Sequence, residues 1–466
     1  MQSVPINSTA PAPDMWEPYE PGGQSLWDVR RVVHLHRRAG FAATWSEIQR
    51  DLKDGPQAGV TRLIKGGARV EGTIENFEQT ADEIGEAAVL SDNPDRLKAW
   101  WIFRMLFSPD PLGERLALMW HNHFATSNLK LRDLVLMRRQ NDLFRTFARA
   151  PFAKLLGAVM HDPAILIWLD APSNVKGKPN ENLAREVMEL FTLGVGNYSE
   201  RDIKEAARAL TGWSVAGAGF ARQADAHDDG QKQILGRKGL FDGDDLLNIL
   251  LEHPACPRRL AWRICSEFMG EGMAEGPALD QLAAGLRSHE LDVGWAVQTV
   301  LRSKLFFSDA NIGTKIIGPV EFVTGPAHAL ELFDPPPSTL VLSEWVERLG
   351  LSLFYPPNVG GWTGGRGWLT TRAIIARGNY AAALARGELS VSDSPPDLRG
   401  MARHAGRDAN LRDGIAFFNE LLLGGRIGPR GLDDIRVRAG RPGAPDADPL
   451  TIAVALILAS PEAQLG

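Results

Sequence analysis

Two clusters of side chains in this 466-residue chain have the types and spacing for chemistry. The first lies in Glu114-Arg-Leu-Ala-Leu-Met-Trp-His-Asn-His, where Glu114 and His121 fall on one stripe of a helix. His121 and His123 are two apart and point to nearly opposite sides of a continuous helix, so both reach one ion only if the helix unwinds near Asn122. Carboxylate and imidazole donors suit zinc, manganese or iron. The same histidines also read as satisfied donors of a buried core. The second cluster is Asn182, Arg185, Glu186 and Glu189, which project side by side from one helical face. Two readings stand here: a solvated face with an intrahelical Arg–Glu pair, or a wall of carboxylates and amides facing a cleft.

The elements that must position these residues are helices. Lys178-Pro179-Asn180 reads as a helix entry, and Leu183, Val187, Leu190 and Phe191 form its apolar stripe. Gly194 is the expected left-handed stop. Ser199 with Asp202 opens a second helix through a capping box, which buries Ile203, Ala206, Ala207 and Leu210 and ends at Gly212. The pair is a helical hairpin. Residues 114–126 are apolar nearly all round and predict a buried helix, as does the run Leu97 to Phe107. Thr44 and Glu47 make another capping box. Asp162 and Pro163 form the cap and first position of a further helix, leaving His161 without a capping role.

Leu26 to Gly40 is locally basic through Arg30, Arg31, His34, His36, Arg37 and Arg38. It reads as an anion site or as a helix paired with acidic residues elsewhere. After Trp213 the helical period is lost. Asp229-Gly230 supplies a turn, and 234–241 reads as a short hairpin. Tyr355 to Trp368 is a loop dense in glycine and tryptophan, suited to stacking on sugar rings or to lying against the main domain. The expected fold is mainly α: one large multi-helix unit of two packed helical subdomains over 28–466, with a small β-hairpin insert near 225–241. Residues 1–27 form a disordered or extended arm.

Composition limits function. Apolar residues make 44% and charged residues 23%, ordinary globular values. The net charge of −6 comes without a long basic stripe, which argues against a nucleic-acid binder. Two cysteines, Cys256 and Cys265, cannot build a disulfide scaffold. The first 27 residues lack the apolar core of a secretory leader, and Leu450 to Ala459 is about half the length of a bilayer span. As written, the chain reads as soluble, without a transmembrane segment or visible export signal, hence cytoplasmic. No phosphate loop, dinucleotide fingerprint, serine elbow, His-Glu-x-x-His helix or EF-hand loop is present. Chemistry therefore falls to His, Asp, Glu, Asn and Arg.

Several longer motifs carry a resemblance. Arg37-Arg-Ala-Gly-Phe41, Trp120-His-Asn-His-Phe-Ala-Thr126, His161-Asp-Pro-Ala164, Pro179-Asn-Glu-Asn-Leu-Ala-Arg-Glu186, Glu189-Leu-Phe-Thr-Leu-Gly194 and Leu210-Thr-Gly-Trp213 are similar to the large bacterial family catalogued as domain of unknown function 1800. Pro319-Val-Glu-Phe322, Pro356-Pro-Asn-Val-Gly-Gly-Trp362 and Ser460-Pro-Glu462 extend the likeness over about 28–466. The resemblance implies relatives that look exported, and a neighbouring partner resembling the sulfatase and alkaline-phosphatase superfamily. It also implies a histidine, in many relatives, where this chain has Phe191.

These readings lead to two functional expectations. One is a hydrolase of a saccharide or ester, with its cleft between the 114–123 helix and the 180–189 face. Glu189, His121, Glu186 and Arg185 would be its catalytic groups, and a divalent metal (Zn, Mn or Fe) would be held among Glu114, His121, His123, His161, Glu189 and His227. The other is a non-catalytic partner or scaffold whose polar residues form buried networks. The loop Trp362 to Trp368 is expected at the rim of the same cleft.

Overall fold

The computed structural model describes residues 14–22, 26–69, 74–390, 395–408, 410–441 and 448–466. Most of the 1–27 arm, and parts of the Ser/Asp/Pro and Gly/Pro/Asp segments near 390–397 and 440–449, lie outside these residues. Helix dominates, at 61% of the described residues, which also form two small antiparallel two-stranded sheets. Buried apolar side chains from Trp16 to Ala463 form one contiguous cluster.

Helix α1 (Val29–Ala39) shows what the basic stretch does. Arg31 pairs with Asp28 at 3.1 Å and Asp309 at 3.3 Å, and His36 Nε2 lies 2.9 Å from Asp51 Oδ2. Arg37 donates to the carbonyls of Leu422 (2.9 Å) and Leu465 (2.7 Å), and Arg38 to those of Phe268 and Asn311 (both 3.1 Å). These arginines staple distant segments of chain together through carbonyls that helix ends and turns leave unpaired. The basic stretch is therefore structural.

Helices α2 (Pro94–Phe107) and α3 (Pro111–His123) are buried nearly all round, as their sequences require. Trp100, Trp101 and Trp120 are among the largest fully buried side chains, each stabilising the core by roughly 1.5–3 kcal/mol or more through apolar burial. Helix α4 (Leu134–Thr146) packs on α3.

The helical hairpin forms with one change. Its first arm begins at Asn182, beyond Pro179, with Asn180 Oδ1 accepting from the Asn182 amide at 2.9 Å. α5 (Asn182–Glu186) then widens into a π-helical stretch, Val187–Leu193. Thr192 Oγ1 donates to the Val187 carbonyl five residues back at 2.5 Å. Other side chains take the stretch's late carbonyls: Arg259 bonds Leu190 O at 3.1 and 3.2 Å, His123 Nε2 bonds Phe191 O at 3.1 Å, and Asn197 bonds Leu193 O at 3.0 Å. Gly194 ends the arm at φ +80°. α6 (Glu200–Ala209) opens with the Ser199/Asp202 capping box in both directions, and Thr44/Glu47 does the same near α1.

The β-structure exceeds the expectation. The hairpin β3–β4 (Lys232–Ile234, Arg237–Gly239) lies in the predicted insert, but a second hairpin, β1–β2 (Trp213–Ala216, Gly219–Arg222), precedes it. Gly217, at φ +58°, sits in the turn. Asp162 occupies its cap position, yet its carboxylate accepts from Gln140 Nε2 at 2.6 Å.

The later elements used below are α7 (Ala255–Phe268), α8 (Pro319–Ala329), α9 (Thr339–Arg348) and α10 (Thr371–Ala385). The apolar run Leu450 to Ala459 belongs to a helix, Pro449–Ala459, packed on α10. Among the described residues no helix is long and apolar enough to cross a membrane.

Candidate functional site

The residues proposed as metal ligands do not meet. Among the described residues, no group of three or more His, Cys, Asp or Glu is placed to hold an ion. Glu114 is 1% exposed and fully committed: Arg104 and Arg145 bond its Oε1 at 2.8 and 2.7 Å, and Trp101 Nε1 donates to its Oε2 at 3.1 Å. Burial alone would raise its carboxyl, but Arg145 and Arg104 outweigh this and hold it below the usual range. His121 sits in an aromatic box of Trp101, Phe144, Phe354 and Trp362. Its Nε2 has no partner, and burial pushes the imidazole down to about 3. His123 points the other way, as its spacing demanded, and its Nε2 proton goes to Phe191 O. No unwinding at Asn122 brings the two rings together.

The other candidates are equally dispersed. His161 lies tilted against Phe220, with ring centroids 4.3 Å apart, and approaches Asp244 Oδ1 at 3.1 Å outside hydrogen-bond alignment. His227 Nδ1 donates to Thr211 O at 2.9 Å. Arg185 pairs with Glu181 (3.1 Å) and Glu200 (2.8 Å), which is the solvated-face reading. Glu186 and Glu189 are half-buried. Burial and the nearby Glu189 raise the Glu186 carboxyl, while Tyr198 donates its hydroxyl to Glu189. The hairpin meets α3 through Phe191 and His123, and Arg185, Glu186 and Glu189 do not line the cleft at the C-terminal end of α3.

A cleft of about 420 Å³ opens instead at the far end of α3. Asn122 and Met119 form one edge, the second half of α7 another, and Lys315, Gly318 and Glu321 the floor. The loop Trp362–Trp368 lies over it as a rim. The loop thus borders the C-terminal end of the predicted helix, though not the predicted hairpin face. Asn122 clamps it: Oδ1 accepts from Trp362 N at 2.7 Å and Nδ2 donates to Trp362 O at 3.4 Å. Gly361, at φ +75°, makes the approach possible, because a Cβ there would stand 2.1 Å from Asn122 Oδ1.

The floor is a chain of charges. Arg115, 2% exposed, reaches Glu267 at 2.7 Å and contacts Glu321 through Nη1. Glu267 also faces Arg263 at 3.7 Å and Lys315 at 3.9 Å. Burial would raise Glu267, but Lys315, Arg115 and Arg263 hold it at about 2. Burial lowers the Lys315 ammonium to about 7, despite Glu267 beside it, and its Nζ donates to Glu267 O. Glu321 Oε2 is buried without a hydrogen-bond partner. Glu321 occupies the first turn of α8, where the helix dipole favours a negative charge. Trp262 is 43% exposed at the mouth, with the Arg259 guanidinium 4.4 Å over its ring.

Sequence reasoning missed Arg115, Glu267 and Lys315, which come from three separate segments without local patterning. Glu321 stood within the quoted Pro319–Phe322 motif, and the rim loop was legible from its glycines and tryptophans.

Fold and site define a helical protein with a charged, tryptophan-rimmed cleft. The chain belongs to the family described as protein of unknown function DUF1800, whose model matches residues 34–465. No curated protein and no solved structure matches it.

Proposed function

We propose that this protein is a hydrolase of a saccharide substrate, cleaving a glycosidic or acyl-ester bond in the 420 Å³ cleft. The observation that carries the reading is Glu321 Oε2, buried and unpartnered, in one cleft with a lysine whose ammonium titrates at about 7. Either bond requires a proton removed from water and a proton given to the leaving oxygen. Glu321 takes the first, with Arg115 holding its other oxygen in place. Lys315 supplies the second from its protonated form. Arg263, which lines the cleft, adds positive charge where an oxyanion would grow. Trp262 and Trp368 give apolar faces for the C–H faces of sugar rings, with polar groups beneath to orient hydroxyls.

The test is a panel of p-nitrophenyl glycosides and p-nitrophenyl or acyl-sugar esters, assayed with wild type, Glu321→Gln and Lys315→Met. At least one class is expected to turn over, and Glu321→Gln to lower kcat by about 10²–10⁴-fold. Turnover unchanged in Glu321→Gln, or no turnover in either class, overturns the reading.

A further inference from the structure

A second cleft, about 310 Å³, lies on the other side of the rim loop. It shares Trp362, Thr363 and Trp368 with the first, so the two are separated only by the loop itself. Its remaining wall comes from the end of α9, Pro357-Asn358 and the start of α10. The loop's path between them is set by close approaches. A Cβ on Gly365, at φ +52°, would stand 2.5 Å from Glu271 Oε1 on the first cleft's side. A Cβ on Gly350 would touch the Trp368 ring at 3.7 Å on the second cleft's side. The indole of Trp368 therefore stands as a partition with both clefts against it.

The two sides differ in charge. Glu271 and Glu275 are exposed along the first cleft. In the second, Glu347 is neutralised by Lys98 at 2.8 Å and Arg348 by Glu344 at 3.3 Å. Arg372 lines the same wall, is exposed, and makes no ion pair or hydrogen bond among the described residues. An uncommitted guanidinium lining one cleft with the Trp368 indole and the Asn358 side chain matches a sugar ring carrying an oxyanion.

We infer that the second cleft is a subsite for an oxyanion-bearing sugar unit, and that the substrate is an anionic oligosaccharide lying across Trp368. The inference rests on the hydrolase reading for the first cleft and adds chain length and charge to it. A carboxylate and a sulfate group would both satisfy Arg372. Neutral sugars would fill the first cleft and gain nothing from the second.

The experiment is a glycan array carrying neutral, uronate-containing and sulfated saccharides from one to six units, probed with the full chain and with Arg372→Gln. Arg372 is exposed and makes no ion pair or hydrogen bond among the described residues, so the variant reports on the ligand. Bound glycans are expected to be anionic and longer than two units, the uronate and sulfated arms showing which oxyanion is read. Arg372→Gln is expected to weaken them about ten-fold or more, towards the level of neutral chains of the same length. Equal binding of neutral and anionic chains, no gain with length, no binding at all, or no effect of Arg372→Gln overturns the inference. If Arg372→Gln changes nothing while Glu321→Gln abolishes turnover of a p-nitrophenyl substrate, the subsite fails and the hydrolase reading stands. Charge- and length-dependent binding with turnover unaffected by Glu321→Gln is the reverse case.

Discussion

Asn122 grips the Trp362 peptide from both ends, accepting from its N–H at 2.7 Å and donating to its carbonyl at 3.4 Å. This one side chain lies between His121 and His123, and it ties α3 to the rim of the cleft. Asn122→Ala is expected to cost about 1–3 kcal/mol, because the Trp362 amide loses its acceptor. Gly361→Ala should cost more, since its Cβ would also stand 2.5 Å from the Asn122 backbone oxygen at a positive φ. Urea midpoints and the rate of proteolysis between 361 and 368 measure both. Wild-type values in the two variants would disprove the clamp.

Glu114 belongs to the core, bridging Arg104 and Arg145. Replacing it by Gln removes the buried carboxylate shared by Arg104 and the half-buried Arg145, leaving each with one outer carboxylate, Glu78 or Asp142. A loss of about 3–5 kcal/mol follows from breaking a buried ion pair on one side only. Equilibrium denaturation reads this directly, and a loss below about 1 kcal/mol would contradict the assignment.

The His121 imidazole titrates at about 3 when folded and near 6.5 when unfolded. As pH falls below 6.5 the unfolded chain binds a proton that the folded chain refuses, so stability is full above 6.5 and declines down to about 3. The slope from this group approaches ~1.4 kcal/mol per pH unit. His121→Leu should remove that share, so urea midpoints at pH 7.5, 6 and 5 should converge relative to wild type. Identical slopes in both proteins would count against it.

Lys315 must be protonated to give a proton to the leaving oxygen. Its ammonium, lowered to about 7 by burial, loses that proton as pH rises. kcat/KM is therefore expected to fall about ten-fold per pH unit above about 7, and Lys315→Met should abolish this limb along with most activity. A rate that climbs through pH 7 would exclude Lys315 as the acid.

Local chemistry was legible where it is governed by neighbours in the chain. The capping boxes at Thr44/Glu47 and Ser199/Asp202, the stop at Gly194 and the burial of α3 all follow from side chains within a few residues of one another. The opposite aim of His121 and His123 follows from helical pitch alone. The π widening at Val187–Leu193 did not follow, because carbonyls there are taken by His123 and Arg259 from other helices. Nor could spacing reveal which polar residues share a space. Glu114 and His121 lie on one stripe, yet Glu114 faces Arg104 while His121 faces four aromatic rings. Arg115, adjacent to Glu114, turns to a different side and gathers Glu267 and Glu321 from two distant helices. Sequence by itself determined the helical elements, the rim loop and the family, since each depends on patterns within one segment. Tertiary packing decided the site, because the mutual attraction that offsets the cost of burying Arg115, Glu267, Lys315 and Glu321 exists only after their separate segments have met.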